Sequence, residues 1–152
     1  MSDKFLAKES TRSGLEIEIY HAAMIGDSPV MPIFLRDLSE LMNQGFAQPF
    51  IPVSNRSKAL YAIVGQDIVG EIIYDFQDDV SKTTWIAFSH VDKKFRRQGI
   101  FKILHEYLEK HAQRNESKRI NSFVHVENTQ ALDSCRSVGR LPIFYKTEKK
   151  LG

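Results

Sequence analysis

Disulfide chemistry is excluded at the outset, because the sequence holds a single cysteine, Cys135. A lone thiol has no intrachain partner and fits a reducing compartment. No apolar run reaches the length of a membrane span. The start, Met1-Ser2-Asp3-Lys4-Phe5, has no signal-peptide core. The chain therefore reads as cytoplasmic, without a membrane partner. Charge of one sign is also scarce: 21 basic against 19 acidic residues give a net +2. The strongly basic face of a nucleic-acid binder is not indicated. With 42% hydrophobic and 26% charged residues, neither disorder nor a fibrous repeat fits. The 152 residues suit one domain, 1–152, large enough for its own core.

What is present is a succession of short periodic segments. Residues 1–13 are polar and read as a flexible or edge segment. Leu15, Ile17 and Ile19 alternate with Glu16, Glu18 and Tyr20, which predicts a half-buried strand. Ser28-Pro29 reads as a helix start, with Ser28 as cap. Val30, Phe34, Leu38, Leu41 and Met42 follow at helical spacing until Asn43-Gln44-Gly45. A proline-containing loop reaches Asn55.

Ala59–Val64 and Ile68–Tyr74, joined by Gly65-Gln66-Asp67, read as a hairpin. Trp85–Val91 extends it to an antiparallel meander. Ile100, Ile103, Leu104, Tyr107, Leu108 and His111 mark one face of a helix to about Asn115. A strand over 120–126, a short helix from Asn128 to Gly139 and a last strand over 141–145 complete the order. The expected architecture is α/β (α+β): a mixed, mostly antiparallel sheet of about six strands flanked by helices.

The segment Val91-Asp92-Lys93-Lys94-Phe95-Arg96-Arg97-Gln98-Gly99-Ile100-Phe101-Lys102 ends a strand and opens an amphipathic helix. A helix start preceded by glycine offers unpaired N–H groups and the positive end of a dipole to a phosphate. Gly99 allows close backbone approach, and Arg96, Arg97 and Lys102 add charge. Taken alone, the same segment is equally a solvated basic turn.

The run resembles the pyrophosphate-binding motif of the GNAT acetyltransferase superfamily, Arg/Gln-x-x-Gly-x-Gly/Ala, at Arg96-x-x-Gly99-x-Phe101. It departs from the motif at Phe101. Downstream, Asn128-x-x-Ala131 matches the family's Asn-x-x-Ala. Cys135 stands where the family has a tyrosine, and Gly139-Arg140 where it has Gly-Phe. The resemblance covers about 59–145. It implies a V-shaped splay of the sheet that takes acetyl-CoA as co-substrate, with no metal.

By that resemblance Ser89, His90 and Val91 pair with the pantetheine arm, and an N–H near Ser89 or His90 faces the thioester carbonyl. Backbone groups of Arg96, Arg97, Gln98, Gly99, Ile100, Phe101 and Lys102 hold the pyrophosphate, and Asn128 contacts the pantetheine or caps its helix. The family's two usual places for a base carry Phe123 and Thr83–Thr84 here. His90 and His125 are the substitutes, and Cys135 the candidate acid or a small apolar filler.

The implied reaction is direct attack of an amine, of a small molecule or a protein, on the thioester. Only thirteen residues follow Gly139, so the acceptor side is expected to be open or completed by a second copy in a homodimer. Two alternatives stand beside it: a non-catalytic CoA-binding module, and a basic interaction protein using Lys93, Lys94, Arg96, Arg97 and the lysine tail on nucleic acid.

Overall fold

The computed structural model describes residues 3–46, 53–77, 80–143 and 147–151. Its elements are β1 (Lys4–Ser10), β2 (Glu16–Ala22), α1 (Val30–Asn43), β3 (Lys58–Val64), β4 (Asp67–Phe76), β5 (Thr83–Val91), α2 (Ile100–Arg114), β6 (Arg119–Ser122) and α3 (Thr129–Ser137). The six strands lie in chain order in one sheet. Neighbours are antiparallel up to β5, and β6 joins β5 in parallel after the α2 crossover. No helix among the described residues is long and apolar enough to cross a membrane.

The central strands are apolar on both faces, because a helix covers each. Leu60 and Ala62 of β3 and Ile72 of β4 meet Ile100, Leu104 and Leu108 of α2. Ala59, Tyr61 and Ile73 face the opposite way, onto Val30 and Phe34 of α1. Two buried faces explain why these strands read as near-continuous hydrophobic runs. Gly70 lets α2 close down on the sheet: a β-carbon there would stand 3.3 Å from the Ile100 side chain.

The polar start takes the edge alternative of its expectation, and the chain differs from that expectation in two later places. Residues 4–10 form an edge strand, antiparallel to β2 across a turn in which Thr11 N–H bonds Leu15 O and Gly14 takes φ +82°. The strand expected over 120–126 stops at Ser122. Beyond it the Phe123 ring stacks on Trp85, and Asn128 N–H bonds His125 O, turning the chain into α3. No strand forms over Leu141–Ile143, and Tyr145 lies outside the described residues. The sheet thus reaches six strands with β1 in place of the expected last one.

The helix starts also gain detail. Pro29 takes the N-cap position of α1, and the Ser28 hydroxyl accepts from Val30 N–H at 3.1 Å while donating to Asp3 at 2.6 Å. The buried face of α1 runs through Val30, Phe34 and Asp37, and Met42 is exposed.

One irregularity shapes everything that follows. Ile86 pairs with Tyr74 and Phe88 with Ile73, so Ala87 is an extra residue, a β-bulge. Pairing of β5 with β6 ends at the same level, Ile86 against Ser122. A bulge bends its strand and re-aims the side chains beyond it. Ile86 packs on the α2 face, Phe88 on the α1 face. From Ala87 to Val91 the strand runs on without β6 beside it, and the sheet opens as a V.

Candidate active site

The opening is a cleft of about 1280 Å³. Its walls are β5 from Ile86 to Val91, the loop and first turn of α2, the end of β6 and the inner side of α3. The later turns of α1 close one end, with Glu40 and Leu41.

At the mouth the backbone is built to present N–H groups. Arg96 has φ −72°, Arg97 +65° and Gly99 +85°, with Gln98 between them outside the positive region. Such alternation turns successive N–H groups to one side, an anion-binding nest. The first helical bond of α2 runs from Ile103 N–H to Gly99 O at 3.0 Å. The N–H groups of Ile100, Phe101 and Lys102 therefore precede any helical acceptor, at the positive end of the dipole. Phe101 does not crowd this turn: it is half-buried, its ring 5.7 Å from that of His105 on the same helix.

The loop side chains are committed to neighbours. Gln98 Oε1 accepts from Ser13 Oγ at 2.8 Å, tying the loop to the β1–β2 turn and bringing Arg12 to the cleft. Arg96 Nε donates to Val91 O at 2.8 Å, and Arg96 Nη2 lies 3.4 Å from His90 Nε2.

His90 follows the bulge and points toward α1, into a group of charges drawn from three elements. Its Nδ1 lies 3.2 Å from Asp37 Oδ2 of α1, 3.9 Å from Glu71 Oε1 of β4 and 4.0 Å from Asp92 Oδ1. Its Nε2 lies 3.6 Å from Glu40 Oε2, on the open side. Glu71 is directly opposite His90 in the β4–β5 register. Asp37 and Glu71 are each 1% exposed, and the His90 side chain 12%.

Arg36 Nε donates to Asp37 Oδ1 at 3.0 Å, which raises the guanidinium pKa further, and Arg36 Nη2 reaches Asp92. As a carboxylate, Glu71 has no donor to answer either oxygen. Burial first, and next Asp37 accepting from its protonated form, push the Glu71 carboxyl well above its ordinary range. Asp37 Oδ2 facing Nδ1 favours the imidazole proton there and leaves the Nε2 lone pair on the cleft side, where Arg96 Nη2 lies 3.4 Å away.

The other expected residues are distributed around this centre. Ser89 and Val91 lie on the open reach of β5, Val91 against the α2-side core. Asn128 is the N-cap of α3, its Oδ1 accepting from Ala131 N–H at 3.2 Å. Cys135 is half-buried on the inner side of α3. His125 lines the same cleft from an exposed turn: Glu127 N–H bonds its Nδ1 at 3.1 Å, and its ring lies 5.4 Å from Phe46. Thr83 and Thr84 are buried, Thr84 bonded to Ser117 at 2.7 Å.

Asp37, Glu40 and Glu71 escaped the sequence reading. Two of them carried a signal. Asp37 interrupts the buried spacing of α1, and Glu71 is an acid inside the apolar run of β4. A charge at a core position requires a partner.

The profile of the acetyltransferase (GNAT) family matches residues 30–139. None of the curated proteins compared matches the chain. Among solved structures, an aminoglycoside acetyltransferase from an uncultured soil metagenomic sample, in complex with sisomicin, is 21% identical with a TM-score of 0.63. That match covers 88% of this chain and 97% of the other. A ribosomal-protein-alanine N-acetyltransferase from Brucella melitensis biovar Abortus 2308 is 13% identical with a TM-score of 0.63, covering 90% and 99%. An aminoglycoside N-acetyltransferase in complex with CoA is 16% identical with a TM-score of 0.59, covering 86% and 99%. At these identities the likeness is one of fold.

Proposed function

The chain belongs to the acetyltransferase (GNAT) family, and from that premise we propose that it transfers the acetyl group of acetyl-CoA to an amine with His90 as the base. The carrying observation is the position of His90 at the inner end of the cleft, its Nδ1 on buried carboxylates and its Nε2 on the open side. Acetyl-CoA lies along the free edge of β5. Its pyrophosphate sits on the N–H groups from Arg97 to Lys102, where the nest and the helix start supply donors without a catalytic side chain.

The acceptor approaches from the α1 end. Glu40 and Asp92 form an acidic rim there, which suits an amine that carries positive charge. His90 Nε2 takes the ammonium proton, Asp37 stabilises the imidazolium, and the amine nitrogen attacks the thioester carbon. The oxyanion forms against a backbone N–H near Ser89 or His90. The carbon–sulfur bond then breaks, the thiolate takes a proton from Cys135, the residue in the tyrosine's place, and the second proton lost by the nitrogen restores the Cys135 thiol. Asp37 and Glu71 act through His90 as positioning residues.

Calorimetric titration with acetyl-CoA and CoA, wild type beside Gly99→Glu, tests the cofactor site. Binding in the wild type that is lost in the variant supports it. A wild type that binds neither removes the assignment. Thioester consumption across a panel of amines then tests transfer, and the absence of turnover with every amine would leave a binding module.

A further inference from the structure

The cluster behind His90 is more than a base and its orienting acid requires. Four buried atoms from three elements converge with no well-aligned hydrogen bond to satisfy them as the side chains stand: Asp37 Oδ2, both Glu71 oxygens and His90 Nδ1. One ligand atom each from Asp37, Glu71 and His90 lies within 4.8 Å of the others. The pairs that include His90 Nδ1 are 3.2 Å (Asp37) and 3.9 Å (Glu71). Bonds of about 2.0–2.2 Å to a tetrahedral zinc-type ion place neighbouring ligands about 3.3–3.6 Å apart, so small side-chain shifts suffice. Asp92 Oδ1 lies 4.0 Å from Nδ1 but is held by Arg36 Nη2 at 3.2 Å, so water completes the shell. Arg36 does not occupy the gap, since it binds the other oxygen of Asp37.

We propose that Asp37, Glu71 and His90 form a binding site for a divalent cation of zinc type. The site itself stands apart from the acetyl-transfer reading; its consequence for activity rests on that reading. A cation on Nδ1 forces the imidazole proton onto Nε2, the atom that has to accept the amine's proton. The loaded protein then lacks its base. Arg36, Arg96, Glu40 and Asp92 are the remaining charges facing the cluster.

The test is calorimetric titration of chelator-treated full chain with zinc. The expected result is one zinc per chain and affinity at least tenfold weaker in Glu71→Gln and Asp37→Asn. Acetyl-CoA titration of each variant reports that its cleft is intact. Should both variants fail to fold, X-ray absorption of the zinc-loaded wild type decides: one imidazole with oxygen donors supports the site. Absence of stoichiometric zinc binding, unchanged affinity in both folded variants, or a sulfur or multi-imidazole shell overturns it. Zinc binding to a chain that acetylates no amine upholds this site while removing the transferase reading, and transfer activity without zinc binding does the reverse.

Discussion

The two walls of the cleft are built on different terms. The β5 wall is the interior of the protein: β4 and α1 pack behind it, and Phe34, Ile73 and Phe88 close its core. The facing wall is thin. β6 has four residues, α3 buries none, and Phe123 and Val126 are 64% and 60% exposed. Buried polar groups exist on both sides, but with opposite character. Near the first wall the acids Asp37 and Glu71 are sealed in. Between the second wall and α2, Arg140 is largely buried, its Nη1 on Ser122 at 2.6 Å and its pKa lowered by burial. The contrast teaches that reactive charge here is held by the wall with the deepest packing, where a carboxylate or imidazole cannot relax out of position. The thin wall closes the cleft and orients less.

The sharpest way to break this contrast is at His90. His90→Gln is expected to lower kcat by about 10²–10⁴, with acetyl-CoA affinity unchanged. A loss below about tenfold in steady-state kinetics would move the chemistry away from the β5 wall.

Stability should divide along the same line. Leu108, fully buried on α2 beneath the sheet, is expected to cost about 2–5 kcal/mol as Leu108→Ala in urea denaturation. Val126→Ala on the thin wall should stay within about 0.5 kcal/mol. Equal costs would show that both walls are core.

The pH dependence carries opposite signs for two sets of buried groups. His105, buried on α2, is lowered to about 4 by burial and then by Arg140, and His21 to about 4 by burial and then by His111. Groups with depressed folded pKa bind protons more readily when unfolded. Stability is therefore lost as pH falls from 6.5 toward 4. Glu71 is the reverse case: its raised pKa makes the folded state hold the proton, so stability is lost as pH rises above about 4.5 toward its folded value. Melting curves across pH should show His105→Gln flattening the acid side and Glu71→Gln the other. Parallel curves for wild type and variants would remove both assignments.

The smallest effect is expected at Asn128. Its side chain caps α3 through Ala131 N–H, and Asn128→Ala should cost about 1 kcal/mol, felt within α3. Hydrogen exchange should quicken there while β4 and β5 remain protected. Exchange spreading into β5 would mean that the two walls unfold as one unit.

Much of this was legible in the chain. The meander of β3, β4 and β5, helices α1 and α2 and the cap of α3 follow from local periodicity and capping, which depend on near neighbours. The loop proposed to hold the pyrophosphate was legible too, because its glycine, basic residues and helix start are contiguous. β1 was only half visible, since an edge strand needs little alternation when its partner supplies the ladder. The shortness of β6 was hidden in the alternation of residues 120–126. What ends the strand is the bulge in β5, which carries the partner away at Ile86 and Ser122.

His90 shows the division most clearly. The sequence by itself marked it as a candidate next to a phosphate loop, equal in standing with His125, because residue type and chain position are all that a linear text holds. Tertiary structure separated them. The bulge turned His90 onto α1, the β4 register set Glu71 opposite it, and helical spacing brought Asp37 down onto both. His125 was left on an exposed turn. Periodicity is a property of neighbours in sequence and survives in the chain alone. The environment proposed to make His90 a base is assembled from distant segments, and only packing brings them together.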